Sequence, residues 1–188
     1  MISIPPSTES VNISDGDIVL KEYYPYDYAD SVFAIDYRML AERGYKAVIF
    51  DIDNTLVHHG DDATPEVAAL FGSIHSLGLK TLLLTNNDEE RVLRFNRNIG
   101  TKYVCDADKP DPDGYIRALE ILGVRKNEAV MVGDQMFMDI IGANRCGIPS
   151  ILVHYITVPG EVRIGKKRYL EKAILFFYRR SRKYQHRL

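Results

Sequence analysis

Short apolar runs recur along the middle of the chain: Ala47–Phe50, Lys80–Thr85 (KTLLLT), Ala129–Val132 and Ser150–Val153, with Tyr103–Cys105 as a weaker member. Between them lie segments of helical spacing. Thr64 caps and Pro65 opens a helix to about Leu77, stopped by Gly78. Asp88–Ile99, Pro112–Leu122 and Phe137–Cys146 predict three more helices, and Ala29–Arg43 an earlier one closed by Gly44. Continuous apolar strands alternating with helices of ten or so residues predict βαβ units. The fold class is therefore α/β, a three-layer domain around a parallel sheet of about five strands. Polar clusters follow three of the runs: Asp51-Ile52-Asp53-Asn54-Thr55, Thr85-Asn86-Asn87 and Gly133-Asp134-Gln135. In a sheet of this kind they should converge on the edge where the strands' carboxyl ends lie.

Composition changes this picture little. The chain has 188 residues, 46% hydrophobic and 27% charged, as expected of one globular domain. No apolar stretch is long enough to span a bilayer and no secretory leader is apparent in MISIPPSTES. Cys105 and Cys146 have neither metal-ligand nor disulfide spacing, and on these grounds the expected location is the cytoplasm. Residues 1 to about 28 lack periodicity and are expected to wrap the surface or remain loose. Charge adds more. The net of −2 divides into +9 over residues 163–188 and −11 over the rest, an acidic body with a basic tail.

The polar clusters carry the chemistry. Two aspartates two apart past a buried strand, Asp51 and Asp53, can share one pocket. One carboxylate can attack phosphorus while the other handles protons. Paired acids of this kind also bind calcium or occupy turns. The Thr85 hydroxyl and the Asn86 backbone N–H can hold phosphate oxygens, although Thr85 can equally cap the helix before Glu89-Glu90. Lys109, ahead of Pro110, can neutralise a transferring phosphoryl group or be a solvated loop charge. Asp134 and Asp139 offer hard oxygen ligands suited to magnesium.

The ordered set DxDxT, Thr, Lys-Pro and GDxxxxD resembles the four-part signature of the haloacid dehalogenase (HAD) superfamily, and implies its Rossmann-like fold. The resemblance implies an Mg2+-dependent phosphatase. In it Asp51 is the nucleophile, Asp53 the acid/base, and Lys109 the stabilising cation. Thr85, Asn86, Asn54 and Thr55 lie at the substrate. Asp51, the Asp53 carbonyl and Asp134 are metal ligands, and Asp139 supports the metal or Lys109. Only 34 residues separate Asp51 from Thr85, and 24 separate Thr85 from Lys109, so no cap domain fits. An open site leaves room for a large substrate or a second copy of the chain. FDIDNTLV, TNNDEERV, Lys109-Pro110, GDQ and DIIGANRCG are closer to subfamily IIIA proteins of the YqeG type, related to mitochondrial phosphatidylglycerophosphate phosphatases. His58-His59 and Met138 depart from that group's pattern and bear on substrate fit; the two histidines either touch a headgroup or are solvated loop residues.

On this reading residues 1–44 flank the core, 45–158 form the catalytic domain and 159–188 a basic amphipathic tail. Leu170, Ala173, Ile174, Phe177 and Tyr178 share one helical face ringed by Lys and Arg. That face either packs on the domain or lies on an anionic membrane, and nucleic acid, with no stacking platform, is the weakest partner. The leading expectation is removal of the terminal phosphate of phosphatidylglycerophosphate at the inner face of a membrane. The alternatives are a phosphatase for a soluble small molecule, nucleotide or phosphoprotein, and a non-catalytic binding module.

Overall fold

The computed structural model describes residues 22–157, 166–180 and 188. Strand β2 (Ala47–Phe50) lies at the centre of one parallel sheet, with all four residues buried. It is flanked by β3 (Lys80–Leu84) and β5 (Ala129–Gly133), with Ala47 in register with both Lys80 and Ala129. Beyond these lie β4 (Lys102–Val104) on one side, and β6 (Ser150–Val153) then β1 (Asp27–Ala29) on the other. The chain runs from β2 outward through β3 and β4, then returns to β5 on the opposite side of β2. The loops after β2 and β5 therefore part, and a crevice opens between them.

Alternate side chains feed two layers. On one face Val48, Phe50, Leu83, Val130 and Val132 pack against α1 (Tyr37–Glu42), α2 (Pro65–Ser76) and α3 (Glu89–Asn96). Phe50 and Phe71 meet with ring centroids 5.2 Å apart, and each such buried ring contributes roughly 2–3 kcal/mol. On the other face Ile49, Leu82, Leu84 and Met131 pack against α4 (Pro112–Leu122) and α5 (Ile141–Cys146). Gly142 lets α5 approach α4, since a Cβ there would lie 2.4 Å from the Tyr115 ring.

Several expectations are corrected. The sheet, expected to have about five strands, has a sixth at its edge, where Asp27–Ala29, at the end of the segment expected to wrap the surface or remain loose, pairs with Ile151–Val153. Three half-buried residues at an edge leave no periodic trace. The helix expected over Ala29–Arg43 is a 3-10 turn at Val32–Ala34 and then α1. Ile35 between them is extended, and Asp36 caps α1 by accepting from the Met39 N–H at 2.9 Å. Asp88, not Thr85, caps α3, accepting from the Arg91 N–H. The helix expected from Phe137 begins as a π turn over Met136–Ile140 before α5. Cys105 and Cys146 are unpaired thiols.

The last helix, α6 (Lys166–Arg180), buries Ile174 and Tyr178 of the face its spacing suggested and leaves Leu170, Ala173 and Phe177 exposed, a rotation of about one residue. Ile174 and Tyr178 are buried against Tyr24, Met136, Ile140 and Leu152. Their companions are half-buried Leu175 and Glu171, whose Oε1 accepts from the Met136 N–H at 3.1 Å. That face has the same i, i+3, i+4, i+7 spacing, displaced by one residue. A hydrogen-bond partner for Glu171 decides the rotation, and periodicity cannot see one. Leu170 and Phe177 are left outward at 55% and 54% exposure, beside Tyr169 and Phe176 at 63% and 57%. Among the described residues no helix is long and apolar enough to cross a membrane. The expectations for residues 1–21, 158–165 and 181–187 lie outside the described residues.

Candidate active site

The sequence places Asp51 directly after β2, and its N–H continues the ladder to the Val132 carbonyl at 3.0 Å. Its side chain thus leaves the sheet beside Asp134, which follows β5. Lys109, from the loop after β4, sends its Nζ between Asp51 Oδ1 at 2.6 Å and Asp139 Oδ1 at 2.7 Å, with 4% of its side chain exposed. Burial works against the ammonium, but Asp139 and Asp51 outweigh it and hold Lys109 protonated, above the usual lysine range. Burial pushes the Asp51 carboxyl up to about 6, the Lys109 charge opposing it and the Asp139 charge adding to it. Asp139 is raised as well, by burial and by Asp134, against the pull of Lys109.

Thr55 Oγ1 donates to Asp51 Oδ2 at 3.0 Å and lies 3.2 Å from Asp134 Oδ1, so it bridges the two acids. Carboxylate oxygens of Asp51, Asp134 and Asp139 lie within 4.8 Å of one another, all on buried residues. Among the described residues these three carboxylates face the Lys109 ammonium, and the donors are all hard oxygens. This donor set fits a hard divalent cation. Asp139 is fixed on both sides, since its Oδ2 accepts from the Gln135 N–H at 3.0 Å. The π turn that carries it is tied down by the Tyr115 hydroxyl, which donates to the Met138 carbonyl at 2.9 Å. Its carboxyl lies flat on Gly133, where a Cβ would stand 2.3 Å from Asp139 Cγ. Gly133→Ala should therefore destabilise the fold by roughly 1–3 kcal/mol or more, read as the denaturant midpoint, and displace the acidic cluster.

Thr85 is buried at the end of β3, where its hydroxyl accepts from the Asn87 N–H at 3.2 Å. The Asn86 side chain clamps the Lys109 backbone, accepting from its N–H at 2.7 Å and donating to its carbonyl at 3.2 Å. Asn54 stands in left-handed backbone (φ 63°) and its side chain accepts from the His59 N–H at 3.2 Å. Asn54 thus shapes the loop after β2, and Asn86 fixes the strand-end loop that carries Lys109.

Asp53 stands apart from this cluster. Its carboxylate accepts from Asn87 Nδ2 at 2.7 Å, Arg91 Nη2 at 2.9 Å and the Gly60 N–H at 3.1 Å, with His59 Nδ1 at 3.3 Å. Burial alone would raise this carboxyl; the hydrogen bonds from Asn87, Gly60 and Arg91 outweigh it and hold it below the usual range. Arg91 also donates to the Asp61 carbonyl, and Arg94 to Asp62 and the Gly60 carbonyl, so α3 fastens the loop over the site. Asn87 was legible in the sequence only as a member of the cluster Thr85-Asn86-Asn87, with no role of its own, and Arg91 only by its place in TNNDEERV.

A family model for the haloacid dehalogenase-like hydrolases matches residues 59–147, a stretch that holds Thr85, Lys109, Asp134 and Asp139. The chain is 32% identical over 165 residues to "Probable phosphatase YqeG" of Bacillus subtilis, across 87% of this chain and 96% of that protein. It is 29% identical over 181 residues to "Phosphatidylglycerophosphate phosphatase 1, chloroplastic/mitochondrial" of Arabidopsis thaliana, across 90% of this chain and 51% of that one. The Chlamydomonas reinhardtii chloroplastic protein of the same name is 26% identical over 147 residues, 73% of this chain and 55% of its own. The chain spans about half the length of these two relatives. A solved structure of an uncharacterized protein from Listeria monocytogenes serotype 4b shares the fold, with a TM-score of 0.51 and 22% identity over 72% of this chain and 99% of that one.

Proposed function

The chain belongs to the haloacid dehalogenase-like hydrolases and is a phosphatase of that family, and on that premise we propose that it removes the terminal phosphate of phosphatidylglycerophosphate through an aspartyl-phosphate on Asp51. The observation that carries the chemistry is Asp51 at a strand end with the buried Lys109 ammonium on one oxygen and the Thr55 hydroxyl on the other. Magnesium, held by Asp51, Asp134 and the Asp53 carbonyl, would neutralise the transferring phosphoryl group. An Asp51 oxygen attacks phosphorus as the ester P–O bond breaks, and the leaving alcohol oxygen takes a proton from Asp53. Water then attacks the acyl-phosphate, returns its proton to Asp53 and releases inorganic phosphate with Asp51 restored. Lys109 holds Asp51 in line, and Thr85 with the Asn86 N–H receives the phosphoryl oxygens.

Asp53, in its present contacts, is set for the second half, where it must accept a proton. Its use as the acid in the first half follows the arrival of phosphate charge, which raises its carboxyl. Where hydrolysis of the phosphoenzyme limits turnover, Arg91→Met should therefore move the acid limb of the kcat–pH profile to higher pH. Losing the guanidinium lets Asp53 rise, so its basic form disappears earlier on acidification. The check is a pH–rate profile on one soluble monoester; an unmoved limb would mean that Arg91 only ties the loop.

The lipid substrate is supported by the likeness to the plant and algal phosphatidylglycerophosphate phosphatases and by α6. Its outward face pairs Tyr169, Leu170, Phe176 and Phe177 with Lys172, Arg179 and Arg180, a mixture suited to the cytoplasmic face of an anionic membrane. Phosphate release from phosphatidylglycerophosphate in mixed micelles, with magnesium or EDTA, tests the reading. Release with magnesium, absent in EDTA and in Asp51→Asn, is expected. Rapid turnover of a simple phosphomonoester with none from the lipid would remove the lipid substrate and keep the chemistry.

A further inference from the structure

A cavity of about 390 Å³ lies between α6 and the carboxyl end of β6, and the steps above make no use of it. Its volume is that of a small-molecule site. Asp134 forms one wall, so the cavity adjoins the acidic cluster. Leu152, Leu175 and Phe176 supply apolar surface, and Lys172 and Arg179 bring two cations. Among the described residues these cations rest on rings rather than carboxylates. Lys172 Nζ lies 5.9 Å from the Tyr169 ring centroid, and the Arg179 guanidinium 5.2 Å from that of Tyr28. A cation over a ring keeps most of its charge available to an anion, whereas one in an ion pair does not. Glu171 also lines the cavity, but its Oε1 accepts from the Met136 N–H.

We propose that this cavity receives the alcohol half of the substrate, with Lys172 and Arg179 gripping a second, phosphodiester anion while the apolar wall covers the start of a hydrocarbon chain. A site next to a phosphoryl-transfer cluster that was built for a simple monoester would need neither the second pair of cations nor the apolar surface. The geometry thus selects monoesters whose alcohol already carries a phosphodiester. This inference rests on the phosphatase reading above and names the part of the substrate that sets selectivity.

The test uses a ligand that cannot react. Dihexanoylphosphatidylglycerol, kept below its micelle concentration, has the phosphodiester and short chains but no terminal phosphate, so calorimetric titration reports the cavity alone. The wild type should bind it, and the Lys172→Met/Arg179→Met double variant at least about tenfold more weakly, as expected for losing two charge-assisted contacts partly screened by solvent. Arg117→Met removes an exposed cation on α4 that does not line the cavity and should bind like the wild type; equal thermal midpoints would show that all three proteins are folded. No binding by the wild type, equal binding by the double variant, or an equal loss in Arg117→Met would overturn the inference. The phosphatase chemistry would then be untouched. Binding as expected, with no phosphate released from phosphatidylglycerophosphate in magnesium, would overturn the proposed reaction and leave the cavity's role standing.

Discussion

Asp51→Asn is expected to cut phosphate release by at least about a thousandfold while raising the thermal midpoint of the metal-free protein. The loss follows from the proposed chemistry, since an amide cannot form the acyl-phosphate that would divide the hydrolysis into two steps. The gain follows from the surroundings. Thr55 has one hydroxyl proton and two carboxylates to serve, Asp51 at 3.0 Å and Asp134 at 3.2 Å. An Asn at position 51 can donate to Thr55, freeing that proton for Asp134, and still accept from Lys109. It also removes one negative charge from a buried cluster of three carboxylates.

The sign can be checked through pH. Asp51 has its folded value raised above the unfolded one, to about 6. Its contribution to stability is therefore fully present below the ordinary carboxylate range and lost as pH rises through about 6. The stability difference between Asp51→Asn and the wild type should grow across that window, to about 1–3 kcal/mol at neutral pH without metal. Magnesium should reverse the order, because on the proposed reading it would bind the folded wild type through Asp51 and would lose that ligand in the variant. Denaturant titrations at several pH values, with and without magnesium, would show this; a variant less stable than the metal-free wild type at neutral pH would contradict it.

Lys109→Met should cost about 3–5 kcal/mol in the metal-free protein, the range for removing one partner of a buried ion pair. Asp51 and Asp139 would then face each other with no cation between them, each having lost a hydrogen bond shorter than 2.8 Å. Millimolar magnesium should recover part of the stability by supplying positive charge to the same cluster, without restoring the rate. Lys109→Arg is not expected to rescue either property. The pocket accepts a single nitrogen between two oxygens at 2.6 and 2.7 Å, and a planar guanidinium needs more room. Denaturant midpoints with and without magnesium decide this. A loss below about 1 kcal/mol would place Lys109 outside the charge balance of the site.

Much of the molecule was open to reading from the chain alone. Ala47–Phe50, Lys80–Leu84 and Ala129–Gly133 are apolar on both faces, and only a sheet covered on both sides satisfies such a run. Once the sheet is parallel, Asp51, Thr85 and Asp134 must emerge at one edge, because each directly follows a strand or ends one. Type and order of elements therefore came from local sequence, as did the residues at the strand ends. The edge strand at Asp27–Ala29 did not, since three half-buried residues owe their conformation to β6 and not to any pattern of their own.

Tertiary structure alone decided the charge states and partners. Asp51 and Asp53 are two residues apart and chemically identical. One is pushed up by burial beside Lys109, and the other is held down by Asn87, Gly60 and Arg91. The two faces of α6 share Ile174 and Tyr178, and the rotation between them was set by Glu171, which accepts from the Met136 N–H. Periodicity records how a chain averages its contact with water along an element. A carboxyl's proton affinity and a helix's rotation depend on a few atoms within about 4 Å, brought there from distant parts of the chain, and these exist only once the fold has formed.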